Sequence, residues 1–134
     1  MGSRRDYENS VQFTLYFESH YHEVGTVEGI KVLRHNDRAN SALPEYAKTS
    51  EAYISINPQG EMMHLRVYCN HAPVLEFDIG HWKHYGKDRG YIHVHDYTKD
   101  ANGHPVRIAP GRDITQAEYA KYGKILEKMK GSKK

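Results

Sequence analysis

Apolar and polar residues alternate along several short segments of the chain, which is the pattern of strands that bury one face. The clearest alternation covers residues 11–18. Shorter segments of the same type predict strands at residues 30–33, 52–56, 62–68, 74–79 and 91–97. The turns that join the segments from 52 to 79 are rich in Asn, Pro and Gly and are too short for a crossover helix. We therefore expect these strands to pair as an antiparallel meander.

A helix is predicted near the C-terminus, where Thr115 and Glu118 have the spacing of a capping box. Apolar residues at helical spacing form one face of this helix: Tyr119, Tyr122, Leu126 and Met129. The expected fold class is α+β, an antiparallel sheet of about four to six strands with a C-terminal helix packed against it. Residues 1–134 are expected to form a single domain, folded from about residue 11 to about 130, with flexible ends at 1–8 and 131–134.

Composition narrows the classes of protein. The chain has 134 residues, a formal net charge of +2, 11 tyrosines, 10 histidines and one cysteine. Leu, Ile, Val and Phe are scarce, and we expect tyrosine rings to supply the missing apolar volume. A lone Cys69 excludes an intramolecular disulfide, and no apolar run approaches the roughly 20 residues of a membrane-spanning helix. These features predict a cytoplasmic protein without membrane contact.

Candidate chemistry appears when the side chains of the strands are sorted by face. Opposite the apolar positions, three strands contribute polar residues: His64, Arg66, Tyr68, Glu76, Asp78, His93, His95 and Tyr97. His81 and His84 lie in the loop before the last of these strands. If the strands are neighbours, one face of the sheet gathers an arginine, two carboxylates and several imidazoles.

Three interpretations suit this set. Two imidazoles that titrate near neutrality can serve as acid and base in phosphodiester transfer, while an arginine stabilises the developing charge. The His93-Val94-His95 motif can instead begin a site for zinc, manganese or nickel, with ligands drawn from His93, His95, Asp78 and His84. The third interpretation is a hydrated face on which histidines pair with carboxylates and no chemistry occurs.

Features elsewhere carry less weight. Arg107 or Arg112 can reach a phosphate, and a lysine-rich C-terminal segment gives slight support to nucleic-acid binding. Tyrosines at 16, 53 and 68 can stack on bases, although filling a small core is the favoured interpretation. Cys69 is expected to be a buried or edge residue and not a nucleophile.

Part of the chain resembles a known group of domains, over roughly residues 60–118. The residues that carry the resemblance are Gly60, His64-Leu65-Arg66-Val67-Tyr68, Glu76-Phe77-Asp78-Ile79, His81, His84 and Tyr91-Ile92-His93-Val94-His95-Asp96-Tyr97. The pattern is similar to phage-associated and polymorphic-toxin C-terminal domains with an H-x-H motif, of the barnase and RelE ribonuclease type. The resemblance implies that Asp78, His84, His93 and His95 occupy the characteristic positions, with Arg66 as a phosphate contact.

The leading hypothesis is a small nuclease-like domain that cleaves RNA without an obligatory cofactor. His93 and His95 are the predicted acid–base pair, Asp78 orients an imidazole, Arg66 clamps the phosphate and His84 is auxiliary. The alternative is a non-enzymatic phage or mobile-element protein that binds and inhibits a host (defence) protein. The partners that these hypotheses imply are RNA, a host protein or a cognate inhibitor protein. A third hypothesis is a metal-binding enzyme that uses the H-x-H site.

Overall fold

The computed structural model describes residues 17, 20–37, 43–47, 50–79, 83–84, 87–88, 92–108 and 110–132. Within them the strands are β1 (Tyr21–Val27), β2 (Ile30–His35), β3 (Ala52–Ile56), β4 (Met62–Cys69), β5 (Ala72–Ile79), β6 (Lys83–His84), β7 (Lys87–Asp88), β8 (Ile92–Lys99), β9 (Pro105–Arg107) and β10 (Arg112–Asp113). The helix α1 (Gln116–Gly131) follows the last strand. The fold class is α+β, as predicted.

One sheet dominates the described part of the chain. Its strand order is β1-β2-β3-β4-β5-β8-β10, with β9 paired to β8, while β6 and β7 form a separate two-stranded sheet. The predicted meander of β3, β4 and β5 is confirmed, and β8 continues it by pairing antiparallel with β5. The expectation of four to six strands was too low. The sheet is also mixed, since β2 and β3 pair in parallel across the long connection at residues 36–51.

The main core lies between the sheet and α1. Inward-facing residues of the central strands are almost fully buried, among them Ile54, Leu65, Phe77 and Val94, and Leu126 and Met129 of α1 cover them. Both hydrogen bonds of the predicted Thr115–Glu118 capping box are present and begin the helix. Tyr119 was expected on the buried face but is 42% exposed, because its hydroxyl turns outward and donates to Glu127 at 2.6 Å.

A second core, rich in tyrosine, lies on the opposite face of the sheet. It comprises Tyr21, Leu33, Leu43, Ala47, Tyr53 and Tyr68, with Phe17 packed against it. The rings of Tyr53 and Tyr68 meet edge to face with centroids 5.5 Å apart. The core-filling interpretation of these two tyrosines is therefore confirmed, whereas Tyr16 lies outside the described residues.

Residues 43–47 close this second core and reach the polar face. Ala47 exchanges two hydrogen bonds with His71, whose backbone accepts from the amide of Ala47 at 2.9 Å and whose Nδ1 donates to its carbonyl at 2.8 Å. His71 stands in the tight turn between β4 and β5 at a φ of 72°, a conformation that favours glycine. Tyr68 donates to the carbonyl of Pro44 at 2.5 Å. These contacts fix residues 43–47 beside the polar side chains of β4.

The remaining sequence predictions can be compared with the described residues one by one. The strand expected at 11–18 lies outside them except for Phe17, whose backbone is helical, so the prediction is wrong at that position. The short strand at 30–33 is confirmed and extends to His35. Cys69 is exposed at the end of β4, in keeping with an edge position. Among the described residues, no helix has the length and apolar character needed to cross a membrane.

Candidate active site on the polar face of the sheet

The strand register assembles a polar cluster on the face of the sheet opposite α1. Two rows of side chains cross β4, β5 and β8: Arg66, Glu76 and His95 in one row, and His64, Asp78 and His93 in the other. Cross-strand partners share a face, so the register brings all six side chains to the same side. Arg107 of β9 joins them, and we call these seven residues the polar cluster.

Asp78 is the centre of the polar cluster. Its Oδ1 accepts a hydrogen bond from Nδ1 of His64 at 2.7 Å. Its Oδ2 lies 3.3 Å from Nε2 of His95 and accepts from Nη2 of Arg107 at 3.3 Å. One carboxylate thus holds two imidazoles and a guanidinium around it.

Glu76 is the buried carboxylate of the polar cluster and is only 5% exposed. Its Oε1 accepts from Nε of Arg66 at 2.8 Å and lies 2.7 Å from Nη2. Its Oε2 faces the rest of the cluster, 3.8 Å from Nδ1 of His64 and 4.0 Å from Arg107. Burial and the nearby negative charge of Asp78 raise the pKa of Glu76 above its usual range, although the charge of Arg66 opposes them.

The two carboxylates respond differently to the same surroundings. Burial alone would raise the pKa of Asp78, but the hydrogen bond and charge of His64 outweigh it, and the pKa of Asp78 is lowered. Burial and the charge of Arg107 lower the pKa of His95, which favours a neutral imidazole. Asp78 is therefore the ionised acceptor of the cluster.

The residues predicted as catalytic differ in how closely they approach the centre of the polar cluster. Asp78, His95 and Arg66 come together in the polar cluster. The ring of His93 lies beside that of His95, with centroids 4.5 Å apart, and packs so closely on Gly111 that a Cβ there would lie 1.7 Å from its Nε2. His84 belongs to β6, and its side chain lies outside the described residues.

Arg66 is bound within the protein. Besides its two contacts with Glu76, its Nη1 donates to the carbonyls of Leu43 at 3.3 Å and Pro44 at 3.1 Å. All three guanidinium nitrogens therefore have protein partners, and a phosphate would have to displace them. Arg66 is better suited to fixing Glu76 than to the predicted role of phosphate clamp.

Of the two other arginines considered from the sequence, only Arg107 points to the polar cluster. Its side chain is 48% exposed. Arg112 instead joins Asp96 of β8 to Glu118 of α1, with its shortest contact to each carboxylate at 2.7 Å. The hydrogen bond from Arg112 lowers the pKa of Glu118 to about 2. Arg112 thus anchors the start of α1.

No known protein family, curated protein or solved structure matches this chain. The resemblance to toxin-type domains therefore stays a prediction, and the polar cluster is the guide to function.

His64 and Glu76 belong to the site, although from the sequence they were placed on the polar face without a catalytic or metal-binding role. Their signal was present, because His64 alternates with Arg66 on one strand and Glu76 alternates with Asp78 on the next. The H-x-H motif drew attention to β8 and away from the centre of the cluster on β4 and β5. One donor atom each from His64, Glu76 and Asp78 lies within 4.8 Å of the others, so these residues could hold a metal ion.

A separate cleft of about 920 Å³ lies near the helix side of the sheet. Its walls include Val67 and Val74 of the sheet and Tyr122 and Ile125 of α1. No residue of the polar cluster lines it. This cleft and the concentration of titratable groups are therefore two different places on the described part of the molecule.

Proposed function

We propose that this domain cleaves RNA by acid–base chemistry at the polar cluster, without an obligatory cofactor. The observation that supports it best is the 2.7 Å hydrogen bond from Nδ1 of His64 to Asp78, with the half-exposed Arg107 on the other oxygen of that carboxylate. An imidazole oriented by a carboxylate is the usual arrangement of a general base.

His64, in place of the predicted His93 and His95, is the base in this proposal. In a neutral imidazole whose Nδ1–H donates a hydrogen bond to Asp78, Nε2 carries no proton and can accept one. The side chain of His64 is 26% exposed, compared with 13% for His95. In His95 one ring nitrogen faces Asp78 and the other is buried, so His95 acts as a positioning residue for Asp78.

The reaction balances with these groups. Nε2 of His64 takes the proton of a ribose 2′-hydroxyl, whose oxygen attacks the adjacent phosphorus. The bond from phosphorus to the 5′ oxygen breaks, His64 returns the proton to that oxygen, and a 2′,3′-cyclic phosphate remains. Arg107 offsets the negative charge that develops on the phosphate oxygens. DNA lacks the 2′-hydroxyl and should not be cleaved.

The test is cleavage of a fluorescently labelled RNA oligonucleotide, with the DNA of the same sequence as control. We expect His64→Ala to lower the rate about 10²–10⁴-fold, the usual contribution of a general base. Asp78→Asn and Arg107→Ala should also lower the rate, and a chelator should not lower it. The matched control is His104→Ala, which removes a histidine 3.8 Å from Asp100 on an exposed turn. Full activity of His64→Ala would refute the proposal.

A second function, a non-enzymatic protein that binds and inhibits a host protein, is supported by the same ion pairs. Arg66 and Asp78 already have their partners inside the protein, which is typical of a structural ion-pair network that has no catalytic role. This alternative predicts an unchanged RNA pool together with a stoichiometric complex between this chain and a purified host protein. His64→Ala would leave that complex intact.

A further inference from the structure

We propose that a zinc-class divalent metal ion binds to His64, Glu76 and Asp78 and switches off the acid–base site. Once Nδ1 of His64 binds the metal, the single proton of the neutral ring lies on Nε2, which can then no longer accept one. The binding step is independent of the proposed function, whereas the inhibition rests on it. This ligand set differs from the H-x-H set that the sequence suggested, because it is centred on β4 and β5.

The separations of the donor atoms fit a small tetrahedral site. Nδ1 of His64 lies 2.7 Å from Oδ1 of Asp78 and 3.8 Å from Oε2 of Glu76. Metal–ligand bonds of about 2.0–2.2 Å at tetrahedral angles place the donors about 3.3–3.6 Å apart. The observed separations lie on either side of that range, so small rotations of the side chains would bring the three donors around one ion.

His95 stands beside the three ligands and is not one of them. Its Nε2 lies 3.3 Å from Oδ2 of Asp78, while Oδ1 is the oxygen beside His64. Imidazole and carboxylate donors suit zinc, and a three-ligand site leaves its fourth position to water. His95 is then an outer partner that orients Asp78.

The protein already orients the ligands. The two contacts of Arg66 hold Oε1 of Glu76 and leave Oε2 directed at the cluster. The register of β4 against β5 places His64 directly opposite Asp78. Groups that fix the ligands in this way usually strengthen metal binding about 10–100-fold.

Ser55 is an independent sign of a missing partner. It pairs with His64 across β3 and β4, so both residues share the face of the polar cluster. Ser55 is 2% exposed, and its hydroxyl has no hydrogen-bond partner within the described part of the chain. A buried hydroxyl without a partner is rare and costly, and a water bound to the metal would satisfy it.

Arg107 competes with the metal for Asp78. Its guanidinium lies 3.3 Å from Oδ2 of Asp78 and 4.0 Å from Glu76, and a dication there would repel it. Since the side chain is 48% exposed, it can swing into solvent. Arg107→Ala should therefore bind the metal more tightly, although the same change should slow RNA cleavage.

The experiment is calorimetric titration of the full chain with Zn²⁺, repeated with Co²⁺ so that the visible spectrum reports coordination. We expect the wild type to bind one ion that His64→Ala does not bind. Asp78→Asn should bind it at least 10-fold more weakly, and Arg107→Ala several-fold more tightly. His104→Ala should match the wild type, since it removes the exposed histidine beside Asp100. Thermal unfolding without metal verifies that each variant is folded.

The outcomes separate the two proposals. Equal stoichiometry and affinity in the wild type and in both His64→Ala and Asp78→Asn would overturn the metal site, whatever the RNA assay shows. An equal loss of binding in His104→Ala would overturn it as well, because the binding would then be adventitious. Metal binding without RNA cleavage in the metal-free protein would overturn only the proposed function. Cleavage that continues at saturating Zn²⁺ would overturn the inhibition.

Discussion

Arg66 offers the sharpest test of how the polar cluster is held together. Its side chain is 14% exposed, contacts Oε1 of Glu76 through two nitrogens and donates to the carbonyls of Leu43 and Pro44. Arg66→Met keeps much of the aliphatic volume but leaves Glu76 in a buried place without its cation. Loss of one member of a buried ion pair costs about 3–5 kcal/mol, a large share of the roughly 5–15 kcal/mol of a typical domain.

The measurement is urea unfolding followed by far-ultraviolet circular dichroism. At a slope of about 2 kcal/mol per molar urea, a loss of about 4 kcal/mol lowers the midpoint by about 2 M. Arg107→Met is the matched control, because its ion pair with Asp78 is half exposed and should contribute only about 0–1 kcal/mol. The double variant Arg66→Met/Glu76→Leu removes both charges and should recover most of the loss.

The loss in Arg66→Met should also depend on pH. Burial already raises the pKa of Glu76 above its unfolded value, and loss of the Arg66 charge raises it further. A carboxyl with a raised folded pKa is tolerated while protonated and costs stability as the pH rises through that value. The deficit should therefore be smaller near about pH 5 than near about pH 8. A loss of unfolding free energy in Arg66→Met below about 1 kcal/mol at both pH values, equal to the loss in Arg107→Met, would refute the reasoning.

Three further predictions concern the surroundings of the cluster. Gly111→Ala places a Cβ 1.7 Å from Nε2 of His93, so the ring must move; we expect a cost of about 1–3 kcal/mol and changed ring resonances of His93 by NMR. Thr115→Ala removes the side-chain half of the capping box and should lower the free energy of unfolding by about 1 kcal/mol in the same urea assay. Arg112 lowers the pKa of Glu118 from 4.5 to about 2. The ion pair between them therefore stabilises the fold above about pH 4.5, and this stabilisation is lost as the pH falls toward about 2. The difference between wild type and Arg112→Ala should shrink over that range, and a constant difference would contradict the assignment.

The sequence predicted which face each side chain occupies, because alternation along a strand is a local property. The sorting that put Arg66 with Asp78 and His95 on one face is confirmed by the register of β4, β5 and β8. Turn composition predicted that β3, β4 and β5 pair in order, since short turns permit only antiparallel neighbours. The capping box at Thr115 was equally local.

Non-local features could not be predicted in this way. The parallel pairing of β2 with β3 depends on how a long connection returns across the sheet. The choice of His64 over His93 as the partner of Asp78 depends on side-chain rotamers, since both residues pair with Asp78 in register. The hydrogen bonds from Arg66 to the carbonyls of Leu43 and Pro44 could not be predicted either, because they depend on residues 43–47 passing beside β4.

The position of α1 after all the strands has a consequence during synthesis. Leu126 and Met129 cover the apolar face of the sheet, but the ribosome makes them after every strand. At about 5–20 residues per second, the 16 residues of α1 take roughly one to three seconds to translate. Until α1 has emerged from the ribosome and docked, the apolar face of the meander around Phe77 lacks its cover, and chaperones and aggregation compete for the chain.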